Sequence, residues 1–199
     1  MQFEKGYIYH IYNQGNNRRQ IFFNRENYLF FLRKINIYIT PYADVLAWCL
    51  MPNHFHLMVF VRDVELDGKT LGVSLRHAES KRTLNESIGI MLMSYTKAVN
   101  KQQNITGKLF REQTKAECIN CPKGIEPSFI SKSGITKINI TQPEKQYPKV
   151  CFDYIHNNPT KAKLVKNNTD WEFSSAIDYT NRRKGKLINK TLAKEYGLI

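Results

Sequence analysis

Alternating hydrophobic positions predict four β-strands in this chain. Residues 6–12 (GYIYHIY) alternate and are rich in aromatic and β-branched side chains, which is typical of a strand. Two apolar runs, 43–51 and 54–62, flank a Pro-Asn pair at 52–53 and therefore predict a β-hairpin with a tight turn. A fourth strand is predicted over 108–119 (KLFREQTKAECI).

Between and after these strands, hydrophobic residues recur at the spacing of α-helices. The first helix is predicted to begin after Asn24, a favourable N-cap, and to end before Pro41. A second helix is predicted over 87–103 and a third over 150–158, with 159–166 continuing the third or starting another.

The order β-α-β-β-α-β, followed by a further helix, is that of the split βαβ or ferredoxin-like fold. We therefore expect an α+β protein in which one antiparallel sheet carries helices packed on it. The chain is predicted to form a single domain over residues 1–199, with a polar loop at 63–86. A Pro-, Gly- and Ser-rich insertion that holds a small hairpin is predicted at 121–149, and a basic tail from about residue 179.

Composition and charge add a class of partner to this picture. Hydrophobic residues make up 42% of the 199 residues, enough for a folded core. The net charge of +13 favours an acidic polymer such as nucleic acid as the partner, with a solvated basic surface as the alternative. No apolar run has the length of a membrane span and the N-terminus has no signal-peptide pattern, so we expect a cytoplasmic protein without a membrane partner.

The third predicted strand holds two histidines at alternate positions, His54 and His56, in a run that is otherwise apolar. Alternate side chains of a strand share a face, so both histidines point one way while Phe55, Leu57 and Val59 point toward the helices. Imidazoles roughly 6.5 to 7 Å apart along a strand can lean toward one metal ion. Taken alone, the pattern is also explained by two strand histidines bonded to neighbouring polar groups.

A candidate nucleophile lies in the third predicted helix. Tyr154 and Asn158 share a helix face, where they offer a phenol oxygen that can attack and an amide oxygen that can bind a hard cation. Alternatively, Tyr154 is an ordinary amphipathic tyrosine, and Asn158 is an N-cap with Pro159 at the first helical position. Pro159 is also compatible with a continuous helix that bends.

These motifs resemble those of the single-tyrosine HUH transposases, in which HUH denotes His-hydrophobic-His, and in particular the REP-associated tyrosine transposases. The resemblance spans about residues 9–175. MPNHFHL and YIHNNP, in this order, carry most of its specificity. The matching stretches are YHIYNQGNNRRQIFF (9–23), WCLMPNHFHLMVFV (48–61), SYTKAVNKQQNITGKLFREQTKAE (94–117), YIHNNPTKAKLV (154–165), Trp171 and the pair Ser174-Ser175.

The resemblance implies a DNA transposase, an endonuclease that cleaves and rejoins single-stranded DNA, often near a hairpin. Carried over by position, Tyr154 is the nucleophile that forms a 5′-phosphotyrosine intermediate, and His54, His56 and Asn158 are the metal ligands. The expected ion is Mg²⁺ or Mn²⁺, which polarises the scissile phosphate and offsets charge in the transition state. One phosphodiester is exchanged for another, so rejoining needs no ATP.

Basic residues near these motifs are expected to bind the DNA, mostly through its backbone. They are Arg18, Arg19, Lys108, Arg111, Lys161 and Lys163. Each is alternatively a solubilising charge. The stretch after Pro159 departs from the family pattern, which has Gly where this chain has Lys163, and the departure questions the turn at that point.

Other functions stay open at this point. A rolling-circle replication initiator or relaxase shares HUH chemistry, and a non-catalytic nucleic-acid-binding protein could use the same fold without it. A metal-binding regulator built on Cys118 and Cys121 lacks further ligands, and all four cysteines are expected to be reduced. The sequence predicts neither the DNA target nor whether the protein is a monomer or a homodimer.

Overall fold

A four-stranded antiparallel sheet lies at the centre of the structure. The structure is a computed structural model that describes residues 1–68, 70, 80–121 and 143–199. The strands are β1 (Ile8–Gln14), β2 (Ala43–Met51), β3 (His54–Val61), β4 (Glu65–Asp67), β5 (Lys81–Thr83) and β6 (Lys115–Cys118). The central sheet has the order β2-β3-β1-β6, and β4 pairs with β5 in a separate hairpin. The predicted α+β class and its ferredoxin-like sheet are confirmed.

Helices cover both faces of the central sheet. They are α1 (Arg25–Tyr38), α2 (Leu84–Gln103), α3 (Pro143–Lys161), α4 (Ala176–Tyr179) and α5 (Lys190–Glu195). α1 and α2 pack together with Phe55 and Leu57 of β3 in the larger hydrophobic core, as the strand alternation predicts. α3 packs on the opposite face, where Ile155 meets buried side chains of β2. The histidines of β3 point to this second face because their side chains alternate with Phe55.

Local capping signals define where α1 and α2 begin. The Asn24 side chain accepts a hydrogen bond from the backbone N–H of Asn27, so the predicted N-cap is confirmed. α2 begins at Leu84, earlier than predicted, because Thr83 and Glu86 form a capping box around its first turn.

The third helix is longer than its sequence pattern predicts. It begins at Pro143 and runs through Pro159 as one helix, so the interpretation of Asn158 as the cap of a new helix is wrong. Most of the predicted insertion at 121–149, including its hairpin, lies outside the described residues, and its last residues form the first turns of α3. The arrangement as a single domain stays a prediction.

A left-handed residue ends α3. The backbone N–H of Lys163 donates to the carbonyl of Thr160, and that of Leu164 donates to the carbonyl of Pro159, which is the pattern of a Schellman cap. Lys163 has φ +58°, a conformation that glycine adopts without steric cost. The turn that the sequence resemblance put in question therefore forms with Lys163 in place of the expected Gly.

Two stretches differ from their predicted structure. The fourth strand covers only Lys115–Cys118 of the predicted 108–119, because Leu109 and Phe110 are buried in the helix-side core instead of extending the strand. The loop predicted at 63–86 contains β4 and β5, whose three-residue strands are too short and too charged to produce an alternating hydrophobic pattern.

The C-terminal part of the chain packs along the outer edge of β2. The backbone N–H of Leu50 donates to the carbonyl of Phe173 over 2.8 Å. Isolated bridges pair Cys49 with Ser174 and Val45 with Ile188. In the ranges that the structure describes, no helix is long and apolar enough to cross a membrane.

The cysteines divide into a bonded pair and two free thiols. Cys118 and Cys121 form a disulfide, so the prediction that all four cysteines are reduced is wrong for this pair. Cys49 and Cys151 are free and buried in the core between α3 and the sheet. As a disulfide, Cys118 and Cys121 offer no thiolate to a metal, which removes the basis for the regulator considered above.

Candidate active site

The tyrosine of α3 and the histidines of β3 meet at one end of the sheet. The ring of Tyr154 lies edge-on to that of His56, with centroids 5.4 Å apart and an interplanar angle of 79°. The rings of His54 and His56 have centroids 5.1 Å apart. All three side chains line one cavity of about 380 Å³, together with Arg111 and Lys115. Two distant sequence motifs therefore form a single site.

Hydrogen bonds at Nδ1 orient both histidine rings. His54 Nδ1 lies 2.6 Å from Asn53 Oδ1, an oxygen that only accepts, so the ring donates from Nδ1 and keeps a lone pair on Nε2. His56 Nδ1 lies 2.9 Å from His10 Nε2. His56 Nε2 is buried and has no hydrogen-bond partner among the described residues. The Nε2 atoms are therefore the ring nitrogens suited to a ligand.

Burial keeps these imidazoles neutral. Desolvation lowers the pKa of His56 well below its ordinary value, and the neighbouring His10 and His54 lower it further. Desolvation also lowers the pKa of His54, partly offset by a hydrogen bond with the Asn158 side chain. Neutral imidazole is the form that binds metal ions, so both rings are ready for one at neutral pH.

Asn158 joins this group from inside α3. Its Nδ2 donates to the backbone carbonyl of Tyr154 over 2.9 Å, and its side chain also hydrogen-bonds with those of His54 and Tyr154. In the described part of the chain, no three His, Cys, Asp or Glu residues cluster as metal ligands. The donors that fit a metal are thus two imidazole nitrogens and one amide oxygen, a set that leaves positions open for substrate.

Tyr154 is half-buried beside a cation. Desolvation raises the pKa of its phenol, and a hydrogen bond with Asn158 partly offsets this increase. Lys161 Nζ lies 5.3 Å from the centroid of the Tyr154 ring. Lys161, predicted as a DNA contact, is therefore adjacent to the candidate nucleophile.

Among the other predicted DNA contacts, one lines the cavity and the rest do not. Arg111 lines it. The loop with Arg18 and Arg19 is held to the β2–β3 turn by hydrogen bonds to Asn53, including one from its Nδ2 to the carbonyl of Arg18. Lys108 and Lys163 are exposed and do not line the cavity; Lys108 pairs with Glu112 over 3.3 Å. The role of all these basic residues as DNA contacts stays a prediction.

Sequence reasoning missed two residues of the site. His10 is not among the predicted site residues, yet its Nε2 lies 2.9 Å from His56 Nδ1. Its alternation with Tyr12 in the first predicted strand places both on one face, but this local pattern does not indicate that the face meets His56. Lys115 lines the cavity from β6, and it adds positive charge that the sequence pattern did not single out.

Contacts from the C-terminal segment hold α3 against the sheet. His156 Nε2 and Ser175 Oγ lie within hydrogen-bond distance. The backbone N–H of Trp48 in β2 donates to Ser175 Oγ over 2.9 Å. Ser175 therefore connects the helix that carries Tyr154 to the edge of the sheet.

Comparison with known proteins supports the fold. No protein-family model and no curated protein matches the chain. A solved structure of a REP-associated tyrosine transposase bound to a REP hairpin is similar, with a TM-score of 0.57 and 17% sequence identity. The match covers 92% of this chain and 84% of the transposase chain. The chain thus has the fold of that transposase, as the resemblance in its sequence predicts.

Proposed function

We propose that this protein is a metal-dependent DNA strand transferase of the tyrosine HUH type, which cleaves and rejoins single-stranded DNA. The observation that carries the proposal is the edge-on contact of Tyr154 with His56, at a centroid distance of 5.4 Å. Two phenols, two neutral imidazoles and two cationic side chains line the same cavity. This combination suits transfer of a phosphoryl group to the phenol.

Tyr154 is the proposed nucleophile. Its phenol oxygen attacks the scissile phosphorus in line with the 3′ oxygen, so that a tyrosine O–P bond forms as the bond to that oxygen breaks. The phenol loses its proton and the departing 3′ oxygen gains one, which leaves a 5′-phosphotyrosine and a free 3′-OH. Because one phosphodiester replaces another, the 3′-OH of a second strand can reverse the reaction and join the DNA.

His54 and His56, through Nε2, and Asn158, through its amide oxygen, are the proposed ligands of a divalent cation. Bound there, Mg²⁺ or Mn²⁺ supplies the positive charge that polarises the scissile phosphate. Asn158 also hydrogen-bonds with Tyr154, so the ligand and the nucleophile are oriented by the same turn of α3.

DNA with a hairpin next to a single strand is the proposed substrate. The solved transposase of the same fold was bound to a REP hairpin. In this chain, Arg111 and Lys115 line the cavity and Lys161 lies beside Tyr154, which suits phosphate binding. We propose further backbone contacts for Arg18, Arg19, Lys108 and Lys163, and a monomer or homodimer as the acting form.

A covalent-adduct assay tests the proposal. Wild-type protein is incubated with Mn²⁺ and 3′-labelled oligonucleotides that contain a hairpin beside random single-stranded sequence, and the mixture is resolved on denaturing gels. Label should travel with wild-type protein and be lost with Tyr154→Phe. The matched control is Tyr12→Phe, which removes a phenol from the same cavity and should retain the adduct.

Each other result has a specific meaning. An adduct that persists in Tyr154→Phe and disappears in Tyr12→Phe would show that Tyr12, and not Tyr154, is the nucleophile. Hairpin binding without an adduct in the wild-type protein would indicate a non-catalytic nucleic-acid-binding protein and would refute the proposed activity.

A further inference from the structure

We infer that His10 is a positioning residue for the metal ligand His56, an inference that rests on the metal-dependent function proposed above. His10 lies on β1, is 1% exposed, and has its Nε2 2.9 Å from His56 Nδ1. It does not line the cavity, and the cavity-lining side chain with which it shares a hydrogen bond is His56, through which it would act on a bound ion.

The hydrogen bond determines which nitrogen of His56 can bind a metal. A ligand atom needs a free lone pair, so a neutral His56 that binds through Nε2 must carry its proton on Nδ1. That proton points at His10 Nε2, which accepts it. The opposite arrangement, in which His10 donates, would place the proton of His56 on Nε2 and block the metal.

Asn53 performs the equivalent task for His54. Its side-chain oxygen lies 2.6 Å from His54 Nδ1 and accepts the proton there. The two candidate ligands are thus each held at Nδ1 by a different neighbour, and both present Nε2. Such partners of ligating histidines commonly fix the ring orientation and raise the basicity of the ligand nitrogen.

Aromatic contacts hold the His10 ring in place. It stacks on Tyr12 with centroids 4.8 Å apart and an interplanar angle of 28°. The hydroxyl of Tyr12 donates to Glu117 on β6 over 2.6 Å. His10 also lies edge-on to Tyr154 with centroids 6.2 Å apart. Residues of β1, β6 and α3 therefore restrict the orientation of the His10 ring.

Packing alone does not account for a histidine at position 10. His10 Nδ1 is buried without a hydrogen-bond partner among the described residues, which destabilises the fold relative to an apolar side chain. An apolar residue would fill the same space without this cost. The polar side chain is explained by the acceptor that it provides to His56.

Metal binding without DNA tests the inference. Mn²⁺ affinity of the full chain is measured by titration calorimetry for the wild type, His10→Phe and His10→Gln. His10→Phe removes the acceptor and should weaken Mn²⁺ binding by about 10- to 100-fold. His10→Gln restores an acceptor oxygen and should bind within a few-fold of the wild type. Tyr95→Phe, which removes a buried hydrogen bond on the other face of the sheet, controls for general destabilisation.

A second measurement remains decisive even if His10→Phe does not fold. In the Mg²⁺-loaded wild-type protein, ¹⁵N NMR of the His56 ring should show the proton on Nδ1. Equal Mn²⁺ affinity of folded His10→Phe and wild type, or a His56 proton on Nε2, would overturn the inference alone. A wild-type protein that binds no Mn²⁺ would overturn the proposed metal-dependent function as well.

Discussion

His156 Nε2 and Ser175 Oγ lie 2.7 Å apart, and this contact joins the tyrosine helix to the C-terminal segment at the sheet edge. The backbone of Trp48 in β2 bonds the same serine hydroxyl. Because Tyr154 and Asn158 lie two residues to either side of His156, the contact sets which face of α3 turns toward the histidines of β3.

The same histidine makes stability depend on pH. Burial lowers the pKa of His156 to about 3, and the charge of Lys149 adds to this. The unfolded chain, with an ordinary histidine pKa near about 6.5, binds more protons, so stability is complete above that pH and falls as pH decreases toward 3. We expect the unfolding free energy of His156→Gln, measured by urea titration, to fall less steeply between pH 7 and pH 4 than that of the wild type. The difference in slope should reach up to about 1.4 kcal/mol per pH unit. Parallel curves for variant and wild type would contradict this.

Glycine at position 163 should stabilise the cap of α3. Lys163 has φ +58°, and a left-handed residue with a side chain costs roughly 1 kcal/mol that glycine avoids. Lys163→Gly should therefore raise the unfolding free energy by about this amount in urea titrations. Lys163→Ala removes the same charge without relieving the backbone, and an equal gain in that control would refute the explanation.

The loop with Arg18 and Arg19 depends on Gly15. A Cβ atom there would lie 2.0 Å from the backbone oxygen of Arg19, so the loop would have to move. Gly15→Ala should lower the unfolding free energy by about 1 to 3 kcal/mol. The control is Gly89→Ala at an exposed position of α2, where a Cβ meets no atom and alanine should add up to about 1 kcal/mol to the unfolding free energy. Thermal unfolding of the two variants should shift in opposite directions.

Arg111 should contribute a phosphate contact because it lines the cavity with Tyr154. Arg111→Ala is expected to weaken hairpin binding and to reduce the salt dependence of the affinity by about one unit of log slope. Arg33→Ala removes an equal charge from an exposed position of α1 and should leave the slope unchanged. Fluorescence anisotropy over a salt series measures both, and identical slopes for the two variants would exclude the contact.

Substitutions at Asn158 test the third metal ligand. Asn158→Leu removes the amide oxygen and should weaken Mn²⁺ binding, whereas Asn158→Asp keeps an oxygen donor with a charge that hard cations prefer. Calorimetric titration should therefore rank the affinities as Asp at or above wild type, and Leu far below. Equal binding by Asn158→Leu and wild type would show that the amide is no ligand.

Features set by neighbouring residues were predictable from the sequence. The N-cap at Asn24 and the hairpin turn at 52–53 both depend on contacts a few residues apart, and the structure confirms them. The third helix was predicted to begin at residue 150, whereas α3 begins at Pro143 and contains Pro148, a residue that local propensity disfavours inside a helix. His54 and His56 were predicted as metal ligands from alternation and the resemblance to a known family, and that role stays a prediction.

The role of His10 could not be predicted from local pattern. Its contact with His56 depends on the register of β1 against β3, in which Tyr12 lies opposite His56 and His10 lies diagonally from it. The docking of Ser175 against Trp48 is likewise non-local. A sequence predicts that strands pair more readily than it predicts which residues come to lie opposite each other.

The covered edge of β2 limits how copies of this protein could assemble. Exposed strand edges are the places where sheets of two chains join into one. Here Cys49 and Val45 are already paired with Ser174 and Ile188 of the same chain. A homodimer built by continuing the sheet from one subunit to the next is therefore blocked at β2, and would have to form at β6 or through the helices.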